Sequence, residues 1–458
     1  MMSASAALPS KFEEAILESN DQKRTVDISN GIVSFDYYED IFSPTITAIL
    51  QVVNTGDSIS PPDNEGKSDG PKQSIYNGLP LRGGERFRIK IAPNTDTNVA
   101  LDFSKGSNDY LYVSSITDVL SDSQRESFTL QLTSREAITN ETTRVGKRFA
   151  PDNSIDTSVK QILKDYLKTK KFSDTSIERT TNQYGFIGNM RKPFTVLIWL
   201  ASKGVPATSG DAAAGFFFYQ TKDGFNFKSI DSLVTQKTKA VYLYSETVQQ
   251  YDEEDNKVNN NFKISKYVTE KNQNLIENLR LGTYSSYRMF FNPLTWEFTN
   301  PEKGTFKFSD YSTKTKNLGD KLKLPKISSS SGKDLGESPS RIFTAVLDVG
   351  TLAKDDKKAK DKNASPEKYQ SQSVMRYNIL FTQTLSIIVP LNTNLNAGDV
   401  ITCNFAKISS SNTNELDEEQ SGLYIIKELC HHFDTESSYT SMKLIRDTFG
   451  INSEATKS

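Results

Sequence analysis

The densest chemistry in the sequence is ELCHHFD, Glu428 to Asp434, which holds both histidines of the chain and one of its two cysteines beside carboxylates. Such residues could bind a metal or pair a nucleophile with a base. Spacing argues against both. In an extended strand neighbouring side chains point to opposite faces, so Cys430 and His432 share one face while His431 takes the other, and adjacent histidines converge poorly on one atom. No CxxC or HxxxH spacing is present. A catalytic version would need a partner such as Cys403 or Asp434, whose spacing gives no support. The stretch therefore reads as wall, and the two cysteines as buried thiols rather than a disulfide framework. No cofactor, metal or catalytic residue is assigned.

The elements around this stretch are mostly strands. The chain has 458 residues, a formal charge of −2 and abundant Tyr and Phe (19 and 26); single cores stop growing near ~250–300 residues, so three or four domains are expected. The near-neutral balance gives no cationic field for nucleic acid or anionic lipid. The polar start, MMSASAALPS, has neither the basic nor the apolar segment of a signal peptide, which predicts a chain made without Sec export. The strongest apolar run, Leu380 to Leu391, is too short and too polar for a membrane helix.

Strand-like runs at Ile32–Tyr38 and Thr45–Val53 flank a turn at Ser43-Pro44. Gly83-Gly84 turns the chain into an alternation of Phe87, Ile89 and Ile91 with Arg86, Arg88 and Lys90, one face core and one wet. Tyr110–Leu120 and Glu126–Ile138 complete a first β unit through a turn at Ser121-Asp122-Ser123. A helix is expected after Asp156 or Thr157, with Val159, Ile162, Leu163, Tyr166 and Leu167 on one face. A second starts at Pro193 and ends by Gly204. The hairpin GFFFYQTKDGFNFKSI turns at Asp223-Gly224. The aromatics of FFFYQ and RMFFN read as core. The expected organisation is a first β unit over 20–145, an α/β insert over 146–237, a middle domain over 238–320 that can include 341–349, polar linker over 321–366, and a second β unit over 367–450 that can include 238–246.

The two β units repeat. Phe128-Thr129 aligns with Tyr439-Thr440 and Arg135-Glu136 with Arg446-Asp447 at offset 439 − 128 = 311. Tyr112 finds Tyr424 at 424 − 112 = 312, and Gly84 finds Gly398 at 398 − 84 = 314. Three landmarks in one order at nearly one spacing indicate a duplicated unit. ELCHHFD then corresponds to ITDVLSD in the first copy, which has no histidine or cysteine, so the chemistry is missing where the architecture recurs. Arg135, Glu136, Arg446 and Asp447 are candidate intersubunit contacts, an arginine clamping a carboxylate across an interface, or surface pairs worth little.

The order of a β unit, an insert with RKPFTVLIWLASKGVP and GFFFYQTKDGFNFKSID, and a last block LNAGDVITCNF…SGLYIIKELCHHFDTESSYTSMKLIRDTFG resembles the central baseplate hub proteins of contractile-tailed phages. Within these it resembles the T-even type in its cyanophage-like versions, and more distantly the late-control D family and type VI spike hubs. The resemblance covers Leu79–Val234 and Gln372–Gly450 and is weak over Tyr251–Pro366. It implies a mainly β fold with two tube-like antiparallel barrels, one for each β unit, an α/β insert and a further middle domain. It also implies a homotrimer whose six barrels make a pseudo-six-fold ring between the tail tube protein and the central spike protein. Baseplate wedge proteins would pack outside, and DNA would pass only as cargo. The chain would be assembled in the host cytoplasm into the virion's tail baseplate, with no membrane insertion and no enzymatic activity. Two other classes fit less well: a cell-wall hydrolase, for which the middle region lacks histidine, and a carbohydrate-binding tail protein, for which two tryptophans are few.

Overall fold

The computed structural model describes residues 6–55, 59, 72–106, 109–122, 124–207, 213–244, 260–272, 274–310, 316–320, 324, 334–347, 366–407 and 416–450. The polar excursion expected after Thr55, the charged run 353–365 and most of the linker lie outside them.

Six main strands make the first roll: β1 (Phe12–Glu18), β2 (Ile32–Asp40), β3 (Thr47–Thr55), β4 (Arg86–Ile91), β5 (Leu111–Ser121) and β6 (Arg125–Ser134); two short ones, Thr25–Asp27 and Leu101–Asp102, pair with β1 and β4 in the same sheet. Their lateral order is β2-β3-β6-β5-β4-β1. The alternation in β4 does what period two requires: Phe87, Ile89 and Ile91 are buried, each at 1% exposure or less. They join Phe35, Leu50, Phe128 and Leu130 in one core. The roll begins before residue 20, with β1, whose sequence FEEAILE buries only Ala15 and Leu17 fully.

The chain after Ser134 is helical rather than extended. Helix α1 (Arg135–Thr142) leads into the insert, built from α2 (Ile155–Asp165), α3 (Pro193–Ala201) and the hairpin of β7 (Phe216–Thr221) and β8 (Gly224–Ser229). Helix α2 starts two to three residues earlier than expected, with Ser154 as N-cap. The Asp156 carboxylate instead accepts hydrogen bonds from the backbone and hydroxyl of Thr180, at 3.1 and 3.0 Å. Pro193 opens α3, and Gly224 takes φ +122° after the two-residue turn. Val159, Ile162, Leu163 and Leu167 are fully buried in a core of their own with Phe218 and Phe225.

The second roll contains β9 (Val241–Tyr244) and β10 (Lys266–Asn272) and then pauses for the middle unit. There α4 (Leu275–Leu281) ends at Gly282 in the left-handed conformation. Strand β11 (Ser285–Asn292) pairs in parallel with β12 (Arg341–Val346), and α5 (Pro366–Ile379) packs near them. From Ser373 on, that last helix occupies sequence whose apolar run, SVMRYNIL, reads as strand; its first half lies in the polar stretch before it. The roll finishes with β13 (Gln383–Pro390), β14 (Val400–Phe405), β15 (Gly422–Asp434) and β16 (Ser438–Arg446). Its lateral order is β10-β13-β16-β15-β14-β9.

The two lateral orders match strand for strand in chain sequence, so the duplication covers six strands rather than three landmarks. One difference is direction: β1 runs antiparallel to β4, whereas β9 runs parallel to β14. Closure is also repeated. Ile28 N–H donates to Ala15 O, and Ile264 N–H donates to Leu243 O, both at 2.9 Å, bringing the first strand of each roll to the lead-in of its second. The copies diverge where Ile41–Ile46 joins β2 to β3 in the first, while the whole middle unit separates β10 from β13 in the second.

Candidate assembly surface

The seam between the rolls is the stretch richest in chemistry. Residues Val400–Cys403 of β14 pair with Gly422–Ile425 at the start of β15. A bulge between Ile426 and Glu428 then shifts the register. Beyond it Glu428–Asp434 pairs antiparallel with Asp40–Ser34 of β2, so one sheet of 14 strands runs through both rolls. Tyr424, Ile426 and Leu429 face the second core, whereas Phe433 faces the first, its ring 6.2 Å from Phe35. ELCHHFD is the wall where one barrel becomes the next.

The seam's titratable groups are held in place rather than poised for reaction. His431 is fully buried, 3.0 Å from Thr440 Oγ1 and stacked on Tyr37. Burial, helped by the Lys222 charge, lowers its pKa to about 3. His432 lies on the opposite face, with Nδ1 2.5 Å from Asp36 and Nε2 3.0 Å from Asp434. Burial pushes its pKa down, but those two carboxylates outweigh it and hold the imidazole above its ordinary value. Burial first, then Asp36, pushes the Cys430 thiol up to about 12, and burial raises Cys403 further still. Neither sulfur is a thiolate near neutral pH. Among the described residues no three His, Cys, Asp or Glu side chains are grouped as metal ligands, and no helix is long and apolar enough to cross a membrane.

Glu39 ties three units together, and the sequence reading missed it. Its buried carboxylate accepts the Lys222 N–H of the insert at 2.7 Å, the Ala397 N–H of the second roll at 2.8 Å and the Tyr37 hydroxyl at 2.8 Å. Burial raises its pKa to about 7 against the opposing pull of Lys222 and these donors. The alternation Phe35, Tyr37, Glu39 was the available signal, since it puts an acid on the buried face of β2.

The repeat is visible in individual hydrogen bonds. Gly84 and Gly398 have φ +89° and +90°. Gly84 N–H donates to Val113 O at 2.6 Å and Val113 N–H to Glu85 O at 2.9 Å. In the second copy Gly398 N–H donates to Ile426 O at 2.8 Å and Ile426 N–H to Asp399 O at 2.9 Å. Asp122 Oδ1 accepts from the backbones of Gln124 and Arg125, and Asp434 Oδ1 from those of Glu436 and Ser437, all within 2.7 Å. A Cβ on Gly398 would also collide with the Tyr219 hydroxyl. Gly398→Ala is therefore expected to destabilise the chain by about 2 kcal/mol, read as a lower urea midpoint at unchanged slope.

These bonds correct the repeat's register. The structural offsets are 398 − 84 = 314, 426 − 113 = 313 and 434 − 122 = 312; β5 has a bulge between Val113 and Ser115, equivalent to that between Ile426 and Glu428, and a second between Thr117 and Leu120 that takes up the last step. Buried Phe128 thus matches buried Thr440, not the half-buried Tyr439. Arg135 matches Asp447 rather than Arg446. Aligning aromatic with aromatic and arginine with arginine slipped by one residue, which exchanges the two faces of a strand.

The four candidate contact residues consequently sit in different places. Arg446 is fully buried, with Nε 2.5 Å from Gln383 Oε1, Nη1 3.1 Å from Ser421 O and Nη2 on Glu419 O, its guanidinium over the Tyr424 ring. Asp447 is buried beside it and accepts the Leu318 N–H at 3.1 Å. Glu136 is buried at the start of α1, and half-exposed Arg135 donates to Lys168 O at 3.0 Å and to Glu136 at 3.3 Å. The structure buries Arg446 and Asp447 on separate internal partners, Asp447 lying 3.9 Å from Arg376, and leaves Arg135 and Glu136 at the entry to the insert.

No family model matches the chain. A probable baseplate hub protein of Vibrio phage KVP40 is 22% identical over 295 residues, covering 64% of this chain and 66%, just under two thirds, of that relative. The chain is similar to a phage baseplate hub protein. Among solved structures, the tail protein from Neisseria meningitidis MC58 superposes with a TM-score of 0.50 at 10% identity, covering 95% of this chain and 96% of that one. The 43 kDa tail protein of prophage MuSo2 from Shewanella oneidensis gives 0.49 at 9%, covering 95% and 98%. The fold of two rolls with inserts, expected from the sequence, is thus shared with a tail protein. All three relatives are described as tail or baseplate components.

Proposed function

We propose that the chain is a structural subunit of a phage-tail baseplate hub, acting by assembly rather than catalysis. Three copies form a ring whose six barrels match a six-fold tail tube on one side and a three-fold central spike on the other, leaving a channel for DNA. The observation that supports this reading is the duplicated six-strand roll, in which the bulge and both turns recur bond for bond: two equivalent barrels per chain are what a three-chain ring with six-fold character requires. The insert and middle unit lie outside the repeat and offer surfaces for baseplate wedge proteins. The chain would be assembled in the host cytoplasm and reside in the tail baseplate.

Electron-microscope imaging with mass measurement on the same purified sample tests the proposal. Rings of 3 × 51.3, about 154 kDa, with a central opening support it. Monomers at every concentration, also when mixed with tube and spike proteins, overturn it.

A further inference from the structure

On β15, Glu428–Asp434 has β16 on one side and β2 on the other. Its equivalent in the first roll, Ser115–Asp122 of β5 and the turn after it, has β6 on one side and no strand on the other among the described residues. The strand equivalent to β2 is β10, which pairs with β13 alone among the described residues. Each chain therefore carries one edge of each kind, with complementary roles.

The internal pairings fix the register. Leu130 and Met442 are equivalent at offset 312; they pair with Leu50 and Ile387, which pair in turn with Phe35 and Tyr267. Phe35 thus corresponds to Tyr267. Within the chain His432 faces Asp36, Phe433 faces Phe35 and Asp434 faces Ser34. Carried over, Leu120 faces Val268, Ser121 faces Tyr267 and Asp122 faces Lys266.

The chemistry of these pairs agrees with the geometry. Leu120 is 70% exposed and Val268 49% exposed in the isolated chain, an open-edge arrangement that proteins avoid unless something covers it. The carried-over register sets the two apolar side chains against each other and an aspartate against a lysine one turn of the pleat away. We propose that the Ser115–Asp122 edge of one copy pairs antiparallel with β10 of the next copy, Leu120 opposite Val268, continuing the sheet from chain to chain. The contact is heterologous, which is the kind that builds a ring when its rotation closes, as in the three-copy ring proposed above. The proposal rests on the ring reading above and adds the edges and register that build it.

Disulfide trapping tests it. The double variant L120C/V268C, oxidised mildly, is expected to run without reductant as covalent multiples of 51.3 kDa up to a closed trimer, while L120C alone and V268C alone remain single chains. L120K is expected to abolish the oligomer and leave the unfolding midpoint of the single chain unchanged. Trimers by mass that neither cross-link nor respond to L120K overturn this pairing and leave the ring reading standing. Cross-linking by L120C alone points to a two-fold contact and also overturns it. Single chains under every condition overturn both.

Discussion

Arg446→Ala is expected to lower the stability of the isolated chain by about 3–5 kcal/mol, the range for removing one member of a buried charged network. The mutation leaves the carbonyls of Ser421 and Glu419 and the amide oxygen of Gln383 facing an empty buried site, each at the cost of an unsatisfied polar group. It also empties the space over the Tyr424 ring. Arg135→Ala, at a half-exposed position with one carbonyl and one neighbouring acid as partners, is expected to cost no more than about 1 kcal/mol. Urea unfolding of both variants with the wild type makes the comparison. Equal, small losses would show that the buried cluster contributes no more than a surface pair.

The second large effect concerns pH. His431 has its pKa lowered from 6.5 to about 3 in the fold, so its contribution is complete above pH 6.5 and is lost as pH falls toward 3, about 5 kcal/mol in all. Glu39 works in the other direction. Its pKa is raised from 4.5 to about 7, so its contribution is complete below pH 4.5 and is lost as pH rises through 7, about 3 kcal/mol in all. The two oppose each other between pH 4.5 and 6.5. His431→Phe should therefore gain stability relative to wild type as pH falls from 6.5 to 4.5, and lose the steep acid limb below that. Because His432, Asp434 and Cys430 remain in both proteins, the difference between their pH profiles isolates His431. Parallel profiles for wild type and variant between pH 7.5 and 4 would refute the assignment.

Local pattern made much of this fold legible. Alternation located β4, the Asp-Gly pair located the turn between β7 and β8, and Pro193 marked a helix start, because each residue answers a backbone requirement met within a few positions. Strand β1 escaped because FEEAILE shows no clean alternation and fully buries only two side chains. Helix α5 escaped because SVMRYNIL reads equally well as an apolar strand, a short-run ambiguity that only packing resolves. The buried role of Arg446 contradicts the usual exposure of arginine and depends on carbonyl acceptors from a loop distant in sequence. The seam was beyond local reading altogether, since its partners are separated by up to about 400 positions, as His432 and Asp36 are by 396.

That separation dictates an order of events during synthesis. The N-terminal residues are stitched to the far end of the chain: Leu391 N–H donates to Ala6 O, Ser438 N–H donates to Ala7 O, and Ser10 meets the Ser438 hydroxyl. While the ribosome works through the insert and the middle unit, the outer edge of β2 has no β15 to pair with, and it gains one only when Glu428–Asp434 emerges. An early barrel must therefore wait with a bare strand, the condition in which nascent chains mispair. Emergence of β15 is then the step that completes the first roll as well as the second, and a chain cut short before Glu428 would lack part of both.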